Sequence, residues 1–415
     1  MQNYIQNAIR FYRLKQNQAL PTYKRFLFDD LLNSRAKITG LYGSRGVGKT
    51  VLLLQLLNEI KVEDEAKLYI SCDHPMFLEV SLFDFVDEFS KYGGEIIVVD
   101  EIHKIKDFQT QIKLIYDFLD IKVYFSGSSA IEITNADFAR RYSMYHLPIL
   151  SLREFLELEM DIKLPSFTLE DILQNHIKFA NIVIDSLKDK KILKHFKKFI
   201  DVGVYPYYFE DKTKYIDRIN ENINTILYSD LVNVTNIDSS KIIALKKLLL
   251  TICVSNPLEI TIEKLAKQIG ITKPTLYKYI DYLSRAELMH HIIYEAKRFN
   301  SIKKPDKLYL NNTNLFNALC INSNIGTVRE TFFVSMLYKR HIINYVDRGD
   351  FLIDEKYIFE IGGKNKGFEH AGAKRRNLAA KRGQIKDLPN SYIVADDIEI
   401  GYRAKIPLWL FGFLY

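Results

Sequence analysis

Apolar residues come as short unbroken runs near the start of the chain and at helical spacing through its middle. The run Ile38 to Tyr42 predicts a buried strand, and Val51-Leu52-Leu53-Leu54-Gln55-Leu56-Leu57 predicts a helix soon after it. Glu95-Ile96-Ile97-Val98-Val99-Asp100-Glu101 shows no polar alternation, as expected of a strand covered on both faces in a parallel sheet. Ile121 to Phe125 reads as a further strand. From 151 to about 235 the spacing is helical, broken at Gly203-Val204-Tyr205-Pro206. Helices follow over Lys241–Val254, Ile262–Ile269 and Lys273–Leu283. Asn256-Pro257 ends the first, Gly270-Ile271-Thr272 turns before the third, Thr272 is its N-cap and Pro274 lies in its first turn. With Leu288 to Tyr294 as a wing strand, this is helix-turn-helix spacing. Ile406 to Tyr415 predicts a final strand docked into a core, which makes truncation costly.

A chain of 415 residues, 47% of them apolar, can bury two or three cores. Cys72, Cys253 and Cys320 are widely spaced with no C-x-x-C, so neither a disulfide framework nor a zinc site is indicated, and each reads as a small buried apolar group. Met1 to Gln6 lacks a charged leader with an apolar core, and no run approaches the ~20 apolar residues that cross a bilayer. The expectation is a cytoplasmic protein with no membrane partner. A net charge of +7 is modest at this size, but its distribution is uneven. Lys364, Lys366, Lys374, Arg375, Arg376, Lys381, Arg382 and Lys386 crowd one stretch, which reads either as a solvated helix or as a face for phosphates. Within it, His370 to Gly383 is rich in Ala, Gly and Arg and reads as an insertion.

Chemistry enters at the first strand-to-helix junction. Gly43-Ser44-Arg45-Gly46-Val47-Gly48-Lys49-Thr50, continued by Val51, is a complete G-x-x-x-x-G-K-T loop. Its glycines let backbone N–H groups curl around a phosphate, and the helix N-terminus adds partial positive charge. Lys49 is expected to reach the β- and γ-phosphates, and Thr50 to ligate Mg²⁺. Asp100 is expected to hold the magnesium through water, and Glu101 to polarise the attacking water, which suits ATP hydrolysis better than a Ras-like GTPase. The alternative is an ordinary strand end with solvated acids. Ser126-Gly127-Ser128-Ser129, at the end of the next strand, offers hydroxyls that orient the lytic water, with Ser126 as the candidate; such residues are also common in turns. Arg25 to Leu32 is the segment expected near the base.

The order of Gly-rich loop, Leu68-Tyr69-Ile70-Ser71-Cys72-Asp73, Asp100-Glu101-Ile102-His103-Lys104, Ser126-Gly127-Ser128-Ser129, Arg140-Arg141 and Pro148-Ile149-Leu150-Ser151-Leu152-Arg153-Glu154-Phe155-Leu156 resembles a prokaryotic AAA-type P-loop ATPase family with a winged helix and a restriction-endonuclease-like C-terminal domain. The likeness spans nearly the whole chain. It implies an α/β fold: a P-loop parallel-sheet core over 1–150, a helical lid over 151–235, a winged helix over 236–300 and an α/β nuclease-like domain over 301–415. It implies Arg141, near Ala139 and Arg140, as an arginine finger on the γ-phosphate of the same or a neighbouring subunit, against the simpler reading of a surface arginine paired with an acid. A homo-oligomer is thereby left open.

The C-terminal part is similar to restriction-endonuclease-like folds in placing Glu330 on a helix, then Asp350-Phe351-Leu352-Ile353, then Tyr357-Ile358-Phe359-Glu360. Such nucleases carry E-x-K on one strand, and here Gly362 stands where the lysine belongs, which predicts a domain that does not cleave DNA. DNA is a candidate partner through Lys273, Thr275, Tyr277 and Lys278 of the third helix, with Leu276, Ile280 and Leu283 facing the core; the alternative is a module for interdomain packing. The function expected is an ATP-hydrolysing switch or motor. Its rival is an ATP-gated DNA-binding or defence protein with residual nuclease action.

Overall fold

The computed structural model describes residues 1–128, 141–232, 241–254, 261–295, 307–367 and 388–415. Ser129, Ala139, Arg140, Asn256-Pro257 and the basic stretch from Lys374 to Lys386 lie outside the described residues. The chain divides into two compact units, 1–149 and 150–415.

The first unit carries α1 (Gln2–Gln16), α2 (Phe28–Leu32), β1 (Ile38–Gly43), α3 (Lys49–Glu59), β2 (Lys67–Ser71), α4 (Leu82–Lys91), β3 (Ile96–Asp100), α5 (Phe108–Phe118), β4 (Lys122–Ser128) and β5 (Ser143–His146). Its five strands pair in the order β2-β3-β4-β1-β5, all parallel. Every residue of β3 is buried, as its unbroken apolar run requires. The edge strand β2 is covered by α1, whose Ile5, Ala8 and Tyr12 form the buried stripe. Because β4 lies between β1 and β3, the ends of these three strands gather at one edge of the sheet. In open parallel sheets that edge is where ligands bind.

The second unit opens with α6 (Leu152–Met160), α7 (Leu169–Ser186), α8 (Ile192–Asp201) and α9 (Tyr215–Thr225). Both α6 and α7 begin with reciprocal capping boxes, Ser151 with Glu154 and Thr168 with Asp171. Gly203 has φ +98°, and a Cβ there would lie 2.3 Å from the Phe155 ring, so the break after α8 needs glycine. Then come α10 (Ile242–Val254), α11 (Ile262–Ile269), α12 (Lys273–Arg285), β6 (Met289–Ile292) and β7 (Lys307–Leu310). Thr272 caps α12, and Gly270 ends α11 with φ +84°. The two strands form an antiparallel ribbon, so the ribbon extends past residue 300, where a boundary was expected.

After α13 (Asn314–Leu319) and α14 (Ile325–Leu337) come β8 (Ile343–Asn344), β9 (Phe351–Ile353), β10 (Tyr357–Gly362), β11 (Ser391–Ala395) and β12 (Lys405–Pro407), ordered β12-β11-β10-β9-β8. The β8-β9-β10 part is antiparallel and the β10-β11-β12 part parallel. Phe333 of α14 packs on Phe351, Phe359 and Phe411, fixing the helix on this sheet.

Two expectations are corrected here. Cys253 and Cys320 are joined in a disulfide, their Cα atoms 5.5 Å apart, because α10 and α13 pack together despite a sequence separation of 67 residues. Cys72 alone matches the expected buried free thiol. The terminal apolar run is not a strand throughout: β12 ends at Pro407, and Leu408–Phe413 is a buried 3₁₀-helix packed on α6, α7 and α14. Arg153 Nε and Ser151 Oγ both donate to the Tyr415 carbonyl, at 2.6 and 3.3 Å.

Candidate nucleotide site

The phosphate-binding loop is built by three backbone choices. Gly46 and Gly48 have φ of +85° and +96°, and a Cβ on Gly43 would fall 2.2 Å from the Leu147 carbonyl oxygen. Gly48 is the N-cap of α3, which has no side-chain cap and no acid in its first turn, an end suited to an anion. Lys49 is buried and donates to the Gly43 and Ser44 carbonyls, each at 3.0 Å. Its charge is thus held beside the loop. The Arg25 guanidinium donates to the carbonyls of Val47 at 2.7 Å, Pro148 at 2.9 Å and Ile149 at 3.2 Å. That contact pins the loop to the end of the sheet.

Asp100 gathers the rest. Thr50 Oγ1 and Tyr69 OH both donate to Asp100 Oδ2 at 2.7 Å, and Ser126 Oγ donates to Asp100 Oδ1. The Ser126 hydroxyl also accepts the Glu101 N–H at 3.1 Å, so one buried side chain holds both the Asp100 carboxylate and the Glu101 backbone. Ser126 is thereby brought to the centre; Ser128 ends the same strand. Tyr69 is the residue that sequence reasoning missed as a site member. Its signal was its place on a strand now seen beside β3, with Tyr69 paired to Val98 in register.

Glu101 follows in the left-handed region at φ +55°, turning its side chain away from the strand direction. Burial raises its carboxyl above the usual range, with Lys49 pulling the other way. Its Oε2 is buried without a hydrogen bond among the described residues, and His103 Nε2 stands 3.3 Å away. His103 is held neutral, pushed down to about 3 by burial and then by Lys104 and Lys49. Arg141, by contrast, lies near the start of β5 with Nε 3.4 Å from Asp117 Oδ1, the surface pairing that rivalled the finger reading.

The other candidates fall in the second unit. On α12, Leu276, Ile280 and Leu283 are buried and Lys273, Tyr277 and Lys278 exposed as expected, whereas Thr275, expected exposed with them, is half-buried. Lys273 pairs with Glu263, and Thr275 bonds the cap Thr272 at 2.8 Å. Glu330, Asp350 and Glu360 do converge. The expected lack of a lysine is corrected: Lys366 pairs with Glu360, folding back over Gly362, where a Cβ would lie 2.7 Å from the Lys366 side chain. Lys366 is largely buried against Glu360, whereas Lys364 is exposed beside Asp397.

Burial pushes the Glu330 carboxyl up to about 7, against the pull of Lys307. Between its ordinary value of 4.5 and about 7 the folded chain keeps a proton that the unfolded chain has released. Stability is therefore expected to fall as pH rises through that window, by up to ~3 kcal/mol. Urea unfolding at pH 5 and pH 8 measures this, and Glu330→Gln should flatten the slope. A slope unchanged in that variant assigns it to another group.

Among the described residues no helix is long and apolar enough to cross a membrane. A family model described as an AAA domain matches residues 35–156. A second, a domain of unknown function (DUF8612), matches residues 193–327. An uncharacterised protein of Methanocaldococcus jannaschii is 28% identical over 329 residues, covering 74% of this chain and 69% of that protein. Among solved structures, a Walker-type ATPase of Pyrococcus abyssi is similar over 71% of this chain and 94% of its own, at TM-score 0.39 and 15% identity. AMPPCP-bound DnaA from Aquifex aeolicus is similar over 65% and 90%, at TM-score 0.26 and 16% identity. Structural likenesses of that size are too slight to argue from. The AAA-domain match, with the five-stranded parallel sheet beneath it, supports an AAA-type P-loop ATPase core in the first unit.

Proposed function

We propose that this protein binds ATP at the loop Gly43–Val51 and hydrolyses it with Mg²⁺, with Glu101 as general base. The observation that carries the reading is the convergence of Thr50, Tyr69 and Ser126 on Asp100, with the Glu101 carboxylate alongside. Thr50 and Asp100 would hold the magnesium, which when bound offsets charge on the β- and γ-phosphates. Lys49 exchanges its loop carbonyls for phosphate oxygens. Ser126 keeps Glu101 beside the lytic water, and Arg141 serves as an arginine finger if released from Asp117.

We read α6–α9 as a helical lid, α10–α12 with the β6–β7 ribbon as a winged helix, and α14 with β8–β12 as a restriction-endonuclease-like fold. Nucleotide state would be passed to these parts, and assembly into a homo-oligomer fits a finger acting between subunits. A second reading, an ATP-gated DNA-binding protein, is favoured by one observation, the exposure of Lys273, Tyr277 and Lys278 on one helix. Turnover with and without duplex DNA separates them, alongside light scattering with and without ATP. A plain switch is expected to hydrolyse ATP at the same rate in both. Stimulation by DNA that fades as salt rises from 50 to 200 mM would favour the second. No turnover under any of these conditions would remove the proposed activity.

A further inference from the structure

The strand β7 reaches into the acidic centre of the C-terminal fold. Side chains two apart on a strand share a face, so Lys307 and Tyr309 point the same way. Both address Glu330: Tyr309 OH donates to its Oε2 at 2.5 Å, and Lys307 Nζ lies 3.8 Å from the same oxygen. The Lys307 ammonium is also 3.9 Å from Asp350 Oδ1 and donates to the Asp350 carbonyl at 3.1 Å. It lies 4.8 Å from the Phe351 ring centre, and only 2% of its side chain is exposed.

We propose that Lys307 occupies the place between Glu330 and Asp350 that a divalent cation would take, so that this centre is a socket holding β7 and not a metal-dependent cleavage site.

With Lys307 in place the donor set does not fit a metal. Asp350 Oδ2 already accepts the Ile361 N–H at 2.8 Å, and Glu360 is engaged by Lys366. Glu330, Asp350 and Glu360 face two ammonium groups, which leaves at most one net negative charge. Adding a divalent ion would reverse that balance and set it against Lys307 at close range in a poorly screened interior. Among the described residues no group of His, Cys, Asp or Glu side chains is arranged to hold a metal ion. A buried ammonium without carboxylates would be costly, so socket and lysine need each other.

The test uses the nucleotide-free full chain, titrated with Mn²⁺ and followed by calorimetry and by thermal midpoint. The wild type and Asp350→Asn are expected to respond alike, with no saturable site lost in the variant, and plasmid DNA with Mg²⁺ and ATP stays uncut. Lys307→Met is expected to lower the midpoint by ~5 °C or more, and Mn²⁺ to raise the variant's midpoint beyond any rise in the wild type by at least half of that loss. Saturable Mn²⁺ binding to the wild type that vanishes in Asp350→Asn, or nicking that vanishes with it, would overturn the assignment. So would a Lys307→Met midpoint that Mn²⁺ does not move. Should that variant fail to fold, the comparison of wild type with Asp350→Asn decides alone. None of these results depends on the nucleotide site.

Discussion

Replacing Lys49 by alanine is expected to lower ATP affinity at least ~100-fold, about 2.7 kcal/mol, and to remove turnover with it. Lys49 already sits inside the loop on the Gly43 and Ser44 carbonyls, so the cation is in place before the nucleotide arrives. Charge-assisted bonds of this kind are each worth about 1.5–3 kcal/mol, and a single ammonium serves more than one phosphate oxygen. The fold should survive. Lys49 lies at the start of α3, where alanine is a good helix former, and the variant loses a buried charge. Calorimetry with ATP and Mg²⁺ measures the effect, and a Kd within threefold of wild type would place the nucleotide elsewhere.

Glu101→Gln is expected to behave in the opposite way, keeping ATP binding while lowering kcat by about 10²–10⁴-fold. The amide preserves shape, and the backbone N–H that Ser126 accepts is unchanged. What disappears is a proton acceptor. Because burial raises the Glu101 carboxyl, the acid limb of the wild-type rate profile should lie above the usual glutamate range, with activity rising as the group loses its proton. That limb should be absent from whatever turnover remains in Glu101→Gln. Robust hydrolysis in the variant would mean that another group activates the water.

These predictions rest on parts of the molecule that could be read without coordinates. The loop from Gly43 to Val51 is contiguous, so its chemistry survives as a pattern of letters. The same holds for Asp100-Glu101 at the end of an apolar strand and for the caps and turn around Thr272 and Gly270, which are local backbone effects. Ser126 was legible too, as a hydroxyl near a strand end, although the serines after it matched the same description. The register of β4 beside β3, with Val99 opposite Phe125, is what puts Ser126 next to Asp100.

The amino-acid order by itself determined the P-loop and its neighbouring acids, the helical middle, and the order of Glu330, Asp350 and Glu360, because each depends on spacing within one element or between adjoining ones. Tertiary structure alone decided that Tyr69 reaches Asp100, that Cys253 meets Cys320, that Arg25 ties the loop to Pro148, and that Lys307 closes on Glu330 and Asp350. These are contacts between elements far apart in the chain. Periodicity says which face a side chain presents, but only packing says what that face meets.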